Sequence, residues 1–375
     1  MGFTTTRFSS NSAGGNVPLG GYADVFTSGL AFKATGSLIQ RSLYPEMSNA
    51  FPRKGSFSAV AATLPTSTGY TGIAFGNGLF VAATGYTGSP GNAAATSTDG
   101  ITWTPRAMPV PLEWRAIAFG AGLFVAIGTG NTNSANAAYA TSTDGINWTA
   151  RNMGVAAVWA SITYSTALGL FIAIAGGYNS QSNIAATSPD GLNWTARVLP
   201  VTGYWQSICA GPAMLVAANA NGNSSGGLAN SVDGANWTSR AAAAGTCTGV
   251  AYGAGLFVSV GTYGMNTSPD GITWTPRSVP STWNCTVVAY GNGCFVAAGA
   301  QGSNIAFTSP DGINWTPRNI VAANSLIGAL VYGLGTFVML GGSNQSSANV
   351  MYVENLTDSD YMYIAGTAGK FVRVK

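Results

Sequence analysis

Histidine is missing from all 375 residues, and only 7% of the residues carry a charged side chain. Without an imidazole the chain cannot build a Ser-His-Asp or Cys-His catalytic centre, and it cannot complete a zinc site that needs histidine. The formal net charge is +3, and no basic run occurs. Nucleic acid is therefore not expected as the main partner.

Cysteine and long apolar runs are also scarce. The four cysteines form no C-x-x-C pair, and each takes a repeat position where other copies carry Ala, Trp, Tyr or Leu. We expect them to be small buried hydrophobes, with no metal site and no cofactor. The longest apolar stretch, 167–177, is too short to span a bilayer, and the first residues lack the pattern of a signal peptide.

Two phrases recur along the chain. A Ser-x-Asp-Gly-x-x-Trp phrase has its aspartates at Asp99, Asp144, Asp190, Asp233, Asp270 and Asp311. A second phrase, two apolar segments around a Gly-rich turn, has copies near Ile73, Ile117, Ile162, Ile208, Val250, Val288 and Leu330. The period of about forty residues is typical of a propeller blade or a solenoid unit.

One unit reads as four short strands at 114–120, 123–128, 137–142 and 146–151, separated by a Gly-x-Gly turn, a polar loop and an Asp-Gly turn. Four antiparallel strands make a blade. The sequence therefore predicts an all-β protein, a seven-bladed β-propeller of four-stranded antiparallel blades, with a small N-terminal attachment segment.

Seven Gly-rich hairpins against six Asp phrases leave the last unit without an outer strand. Segment 56–63 lies just ahead of the first hairpin, so we expect it to complete the last blade and remove the open sheet edges. The predicted domains are an attachment segment at 1–54, the propeller at 55–355 and a C-terminal strand tail at 356–375 that packs near the N-terminal segment.

Turn chemistry explains the Asp phrase. Asp accepts a hydrogen bond from the backbone N–H two residues on, Gly takes a positive φ, and the Trp face packs on the neighbouring blade. The phrase resembles the Asp-box of sialidases and related β-propellers, although Asp and Gly are adjacent here, one residue closer than in that motif. The resemblance implies a hairpin remote from any catalytic centre, so we expect all six aspartates to be structural.

The N-terminal segment carries a second resemblance. Residues 30–52 resemble a segment of phage tail-fibre and tail-collar proteins, through Gly36, Ser37, Leu38, Arg41, Ser42, Tyr44, Pro45 and Met47. The end at 370–375 resembles the terminal strand of many such fibres. The resemblance implies a virion protein, assembled in the host cytoplasm as a homo-oligomer, that contacts other virion proteins through 1–54 and 356–375. From the residues alone, 30–52 is a small helix-and-turn subdomain in which Ser42 caps a helix.

Catalysis is not expected. Ordinary glycosidases need two carboxylates across the scissile bond. Six of the twelve acids are the phrase aspartates, and of the others only Glu113 falls in a loop that could face the central channel. We therefore predict that the protein is not an enzyme and has no catalytic residues. The alternative from a different functional class is a glycan-degrading enzyme.

Binding is the favoured activity. Long polar loops share one face of the predicted propeller, and aromatic residues begin inner strands beside that face. Aromatic planes next to Asn and Ser groups suit sugar rings. The candidates are Tyr70, Trp114, Trp159, Trp205 and Trp283. The alternative for each is that it packs between blades or plugs the channel mouth.

Every Asp phrase ends in an arginine: Arg106, Arg151, Arg197, Arg240, Arg277 and Arg318. Each lies seven residues after its Asp, which is roughly 23 Å along an extended strand. This predicts an acidic ring on one face and a basic ring on the loop-bearing face, with Arg197 and Arg240 as candidates for binding an anionic ligand. The alternative is local neutralisation by tryptophan or backbone carbonyls.

The predicted function is that of a phage virion structural protein, a tail fibre or receptor-binding adhesin whose loop face binds host-surface glycan. Nucleic acid and membrane insertion are not expected. The alternative is a purely structural collar, fibre hub or head decoration with no ligand.

Overall fold

The computed structural model describes residues 59–66, 69–85, 91–130, 134–177, 180–220, 227–261, 264–279, 285–299, 305–319, 326–342 and 349–354, with short strands outside these ranges. All regular elements of this part are strands. Within it, no helix has the length and apolarity to cross a membrane. The chain divides into two compact units: Met1–Phe57 with Glu354–Lys375, and Ser58–Val353.

The smaller unit contains two described sheets. One consists of β1 (Thr4–Arg7), β2 (Tyr22–Phe26) and β3 (Gly29–Lys33), and the other pairs β4 (Leu38–Gln40) with β32 (Tyr361–Tyr363). Most of the segment that resembles phage fibres, including the predicted helix near Ser42, lies outside the described residues, as does 370–375.

The larger unit consists of antiparallel sheets in chain order. The first has the strands β6 (Tyr70–Gly76), β7 (Leu79–Thr84), β8 (Gly91–Ser97), β9 (Thr104–Gly120), β10 (Leu123–Thr129), β11 (Asn136–Ser142) and β12 (Thr149–Ala157). Through its N-terminal half β9 pairs with β8, and through its C-terminal half it pairs with β10. This one strand therefore joins two four-stranded arrangements.

Four further sheets have four consecutive strands each. They are β13 (Trp159–Ser165), β14 (Leu170–Ala175), β15 (Ser182–Ser188) and β16 (Thr195–Gly203); β17 (Trp205–Ala210), β18 (Leu215–Asn219), β19 (Leu228–Ser231) and β20 (Thr238–Arg240); β21 (Gly249–Gly253), β22 (Leu256–Gly261), β23 (Gly264–Ser268) and β24 (Thr275–Pro276); β25 (Cys285–Gly291), β26 (Cys294–Gly299), β27 (Ile305–Ser309) and β28 (Thr316–Asn319).

The last sheet combines both ends of the unit. Its order is β29 (Leu326–Gly333), β30 (Thr336–Gly342), β31 (Asn349–Glu354) and β5 (Ala59–Thr63). The register of β31 and β5 runs from Asn349 opposite Thr63 to Val353 opposite Ala59. This is the outer-strand pairing that the hairpin count predicts.

The inner strands are the first strands of each four-stranded arrangement: β6, the C-terminal half of β9, β13, β17, β21, β25 and β29. Each contacts the next, and β29 contacts β6, so the ring is closed. A glycine at the end of an inner strand faces an aromatic ring on the following one, as at Gly120 with Tyr164 and Gly291 with Tyr332. Gly333 faces Phe75 in the same way across the junction of the last and first sheets.

The core lies in the seams between neighbouring sheets. One cluster joins Ile127 and Tyr139 of the first sheet to Trp159 and Phe171 of the next. Another joins Tyr70 of β6 to Ala62, Leu64, Val338 and Leu340 of the last sheet. The seam at the chain ends is therefore packed with the same kind of side chains as the others.

The Asp phrases form tight turns at one end of the sheets, which we call the box end; the turns between first and second strands lie there too. In the turn of Asp190, the N–H groups of Leu192 and Asn193 each donate to Asp190 Oδ1 at 2.8 Å, and Ser188 Oγ donates to the same oxygen at 3.0 Å. Gly191 has a φ of 70°. The opposite end is the loop end.

Candidate functional site

A cavity of about 500 Å³ lies inside the ring of inner strands. Its lining includes Gly85, Thr129, Gly176 and Ser180, which end or follow the second strands, so the cavity lies at the loop end. Ligand-binding cavities commonly have a volume of this order. We therefore take it as the candidate site.

The cavity wall has three tiers, because equivalent positions of successive inner strands stand at the same height. The rim consists of Thr71, Arg115, Ala160, Gln206, Thr248, Thr286 and Gly328. The middle tier consists of Gly72, Ala116, Ser161, Ser207, Gly249, Val287 and Ala329. The floor is aliphatic, with Ile73, Ile117, Ile162, Val288 and Leu330.

A β-bulge shapes the rim. In β13 the pairing passes from Trp159 to Ser161 and leaves Ala160 out of register. In β17 it passes from Trp205 to Ser207 and leaves out Gln206. The same irregularity occurs at the rim residues of β6, β9, β25 and β29. Because a bulge leaves the extra residue unpaired and redirects its side chain, the rim residue reaches the cavity while the residue before it enters a seam.

Rim threonines tie adjacent inner strands together. Thr71 Oγ1 donates to the carbonyl of Trp114 at 2.6 Å, and Thr286 Oγ1 donates to the carbonyl of Ile327 at 3.5 Å. Thr248 Oγ1 donates to the carbonyl of Val260 on the second strand of its own sheet at 3.3 Å. These hydroxyls keep only lone pairs for a ligand.

Arg115 brings a positive charge to the rim. Its Nη2 lies 3.0 Å from Glu113 Oε2, and Thr129 Oγ1 donates to the same oxygen at 3.2 Å. The side chain of Glu113 is fully buried, whereas that of Arg115 is 22% exposed. The sequence placed Glu113 in a loop, which is wrong: it lies in β9 and serves as the buried partner of Arg115.

Gln206 contributes an unpaired donor. Its Nε2 is buried and has no hydrogen-bond partner, although the residue lines the cavity. A buried donor without a partner costs about 1–3 kcal/mol. A ligand oxygen or a water molecule in the cavity can satisfy this donor.

Four members of the predicted aromatic platform have buried side chains, and of these four only Trp159 is among the residues that line the cavity. Tyr70, Trp114, Trp159 and Trp205 have no solvent exposure and belong to the core clusters of the seams. The indole N–H of Trp159 donates to the carbonyl of Asn136, on the preceding arrangement, at 3.1 Å. The alternative, packing between blades, describes Tyr70, Trp114 and Trp205, whereas Trp159 packs in a seam and also lines the cavity.

Trp283 lies outside the described residues. By strand register the residue equivalent to Trp159 is Cys285, since its pairing also skips the rim position that follows. Cys247 and Ile327 stand at the corresponding places of two other strands and are equally buried. The aromatic pattern therefore covers only part of the ring.

The predicted basic ring at the loop end is also wrong. The Asp phrase is a turn, and its strand begins only at the residue after Trp, so Arg197 pairs opposite Ala185 in the middle of β15 and not at the loop end. Its Nε donates back to Thr187 Oγ1 at 3.1 Å, and Arg240 Nε donates to Asn230 Oδ1 at 2.9 Å. The remaining phrase arginines bond in the same way to a threonine ten residues earlier. The alternative of local bonding therefore fits better, although the partners are threonine hydroxyls and, for Arg240, an asparagine oxygen rather than tryptophan or backbone carbonyls.

The box carboxylates are used within their own turns. The N–H groups of Asn193 and Leu192 hold the pKa of Asp190 well below its ordinary value. Asn193 Nδ2 donates to the second carboxylate oxygen at 2.7 Å. Across the described ranges, no three side chains of His, Cys, Asp or Glu come close enough to hold a metal ion.

Sequence reasoning did not find Thr71, Ser161, Gln206, Ser207, Thr248 and Thr286. Their common signal is position: five of them lie one or two residues after the first residue of an inner strand, and Thr248 lies just before β21. The residue type at these positions varies between inner strands, whereas the residues around them repeat. This variation within a repeat was the sequence signal that could have identified them.

Comparisons with known structures support the architecture. The chain is similar to virginiamycin B lyase from Staphylococcus aureus, determined as a catalytically inactive His-to-Ala variant with quinupristin, with a TM-score of 0.65 and 12% identity, covering 80% of this chain and 99% of that one. It is similar to YCF48 from Cyanidioschyzon merolae, with a TM-score of 0.59 and 16% identity, covering 80% and 98%. No family model and no curated protein matches the sequence. At these identities the likeness shows the fold alone, which is a β-propeller.

Proposed function

We propose that this chain is a bacteriophage virion protein, a tail fibre or receptor-binding adhesin, whose seven-bladed propeller binds host-surface glycan at its loop end. The cavity at that end, walled by polar rim residues, is the observation that carries the proposal. The count of seven treats the first sheet as two blades joined by β9, because its two halves pair with different neighbours.

The course of the chain distinguishes the two ends of the propeller. Val353 pairs with Ala59 where other sheets have an Asp turn, so the chain enters and leaves the propeller at the box end. We infer that the loop end, with its cavity, is the side of the propeller that meets a ligand.

Exposed apolar side chains support the box end as the side of assembly. Among the described residues, seven of the eight exposed large hydrophobics lie in box turns or in turns between first and second strands. They are Ile146, Leu168, Leu192, Val232, Ile272, Ile313 and Leu334. We infer that this end of the propeller contacts another virion protein.

The residues favour binding over catalysis. The lyase with a similar fold loses catalysis when a histidine is replaced, and this chain has no histidine. The rim has one charged side chain among its described members, Arg115, and its partner Glu113 has no exposed surface. A glycosidase mechanism needs two carboxylates that reach the substrate.

The proposal is tested with labelled full-length protein on an array of bacterial surface glycans. We expect binding to a restricted set of glycans, and competition by the same glycans in an adsorption assay with cells. Absence of binding to every glycan would favour the second candidate, a structural virion component without a ligand. The exposed apolar residues of the box end suit that candidate equally.

A further inference from the structure

The cavity wall is not uniform around the ring. Groups that can donate hydrogen bonds lie on the neighbouring strands β9, β13 and β17, as Arg115, Ser161, Gln206 and Ser207. Ser207 Oγ accepts the N–H of Val250 at 3.2 Å, so its own hydrogen remains for another acceptor. This side of the cavity therefore favours a ligand group made of acceptor oxygens.

Acceptors lie on strands β6 and β21, which flank these three strands, and on the next strand β25. The hydroxyls of Thr71, Thr248 and Thr286 give their hydrogens to backbone carbonyls, as described above. Each retains lone pairs that can accept a hydrogen bond from a hydroxyl group. A ligand that matches both sides carries acceptor oxygens at one end and hydroxyl groups at the other.

The charge of Arg115 limits the kind of acceptor group that a ligand can present to this side of the cavity. Arg115 is the one charged side chain among the described residues that line the cavity. Because Glu113 is fully buried behind it, a ligand meets the guanidinium and not the carboxylate. A guanidinium favours an anionic acceptor, and it matches the planar geometry of a carboxylate.

We propose that the cavity binds one sugar unit that carries a carboxylate, such as a hexuronate at the end or on a branch of a glycan. The carboxylate lies toward Arg115, Ser161 and Gln206, the hydroxyls lie toward the threonines, and the C–H face of the ring lies on the aliphatic floor. The inference rests on the proposed glycan binding and names the sugar class that this site takes.

Gln206 supplies the sharpest test. We expect Nε2 to donate to a ligand oxygen, because this nitrogen has no hydrogen-bond partner in the free protein. Gln206→Met removes the donor, keeps the length of the side chain and relieves the buried unpaired group. The variant should have an unchanged or higher Tm and bind D-galacturonate about tenfold more weakly, the effect of one lost hydrogen bond to a charged group.

Titration calorimetry of full-length protein with D-galacturonate and with D-galactose measures the charge preference. We expect galacturonate to bind more tightly. The double variant Glu113→Gln/Arg115→Gln should remove this preference, and it avoids the buried unpaired carboxylate that changing Arg115 alone would leave. Equal affinity for the two sugars, no binding of galacturonate, or a Gln206→Met variant that binds as well as the parent would overturn the inference.

These results separate the inference from the proposed function. Glycan-array binding that Gln206→Met leaves intact refutes this site and leaves the adhesin in place. Binding of galacturonate in the cavity, with no glycan recognised on the array and no adsorption to cells, supports the site and refutes the adhesin.

Discussion

Replacement of Gly333 with alanine should weaken the seam that closes the ring. Gly333 ends β29 and packs against the ring of Phe75 in β6, where an added Cβ would lie 2.6 Å from Cδ2 and 2.8 Å from Cδ1. Phe75 itself packs on Phe80, with ring centroids 4.8 Å apart. The ring cannot move away without disturbing this pair.

The expected loss follows from two opposing effects. Overpacking a seam costs about 1–3 kcal/mol. Gly333 has no positive φ, so alanine is compatible with its backbone conformation. Alanine also reduces the conformational entropy of the unfolded chain, which stabilises the folded protein by about 0.4–1 kcal/mol. The net loss in unfolding free energy should be about 1–2 kcal/mol, measured by urea denaturation with fluorescence detection.

Two variants make this test specific. Gly291→Ala introduces a tighter clash, with Tyr332, in an ordinary seam and should cost at least as much. In a Phe75→Ala background, Gly333→Ala should cost almost nothing, because the ring it strikes is gone. If Gly333→Ala leaves stability unchanged while Gly291→Ala lowers it, the first and last sheets do not meet as described.

Deleting residues 1–63 removes β5 and should give aggregated protein in size-exclusion chromatography, whereas deleting 1–57 keeps β5 and should not open the propeller. Asp190→Ala removes the acceptor of the turn and should lower the unfolding free energy by about 1–2 kcal/mol, with a smaller loss for Asp190→Asn, which keeps one acceptor oxygen. The lowered pKa of the box aspartates means that their stabilisation is full above about pH 4 and is lost as the pH falls below it, which urea unfolding at a series of pH values will show. Burial raises the pKa of the Cys247 thiol to about 11, and Cys285 is also buried, so both should react with a thiol reagent in urea but not in the native protein.

Local turn chemistry made much of the fold predictable. The Asn-Gly pair at 77–78 takes positive φ at both residues, 50° and 73°, as a tight hairpin requires. The Asp phrases form the expected turns, and the unequal numbers of the two phrases predicted the pairing of β5 with β31. These features depend on residues close in sequence or on a count of repeats.

The direction of the aromatic side chains was not predictable in the same way. A tryptophan that opens an inner strand has the same sequence context whether it faces the channel or a seam. The bulge between Trp159 and Ser161 decides this, and it depends on how β13 pairs with β14. The rim residues were missed for the same reason, because the bulge is what directs them to the cavity.

The error in the arginine ring came from treating the Asp phrase as extended. The turn of Asp144 and the residues up to Trp148 precede the strand, so Arg151 is only the third strand residue. Arg151 then bonds back to Thr141. A threonine ten residues before five of the six phrase arginines was visible in the sequence and indicated this local pairing.

The most direct test of the account is an experimental structure of the full-length protein with bound D-galacturonate. The account predicts density for one sugar within the ring of inner strands, with a carboxylate oxygen about 3 Å from Gln206 Nε2 and the ring above Ile117 and Ile162. Density for the sugar on the outer surface of the sheets, or an empty cavity at ligand concentrations that saturate binding in solution, would contradict it.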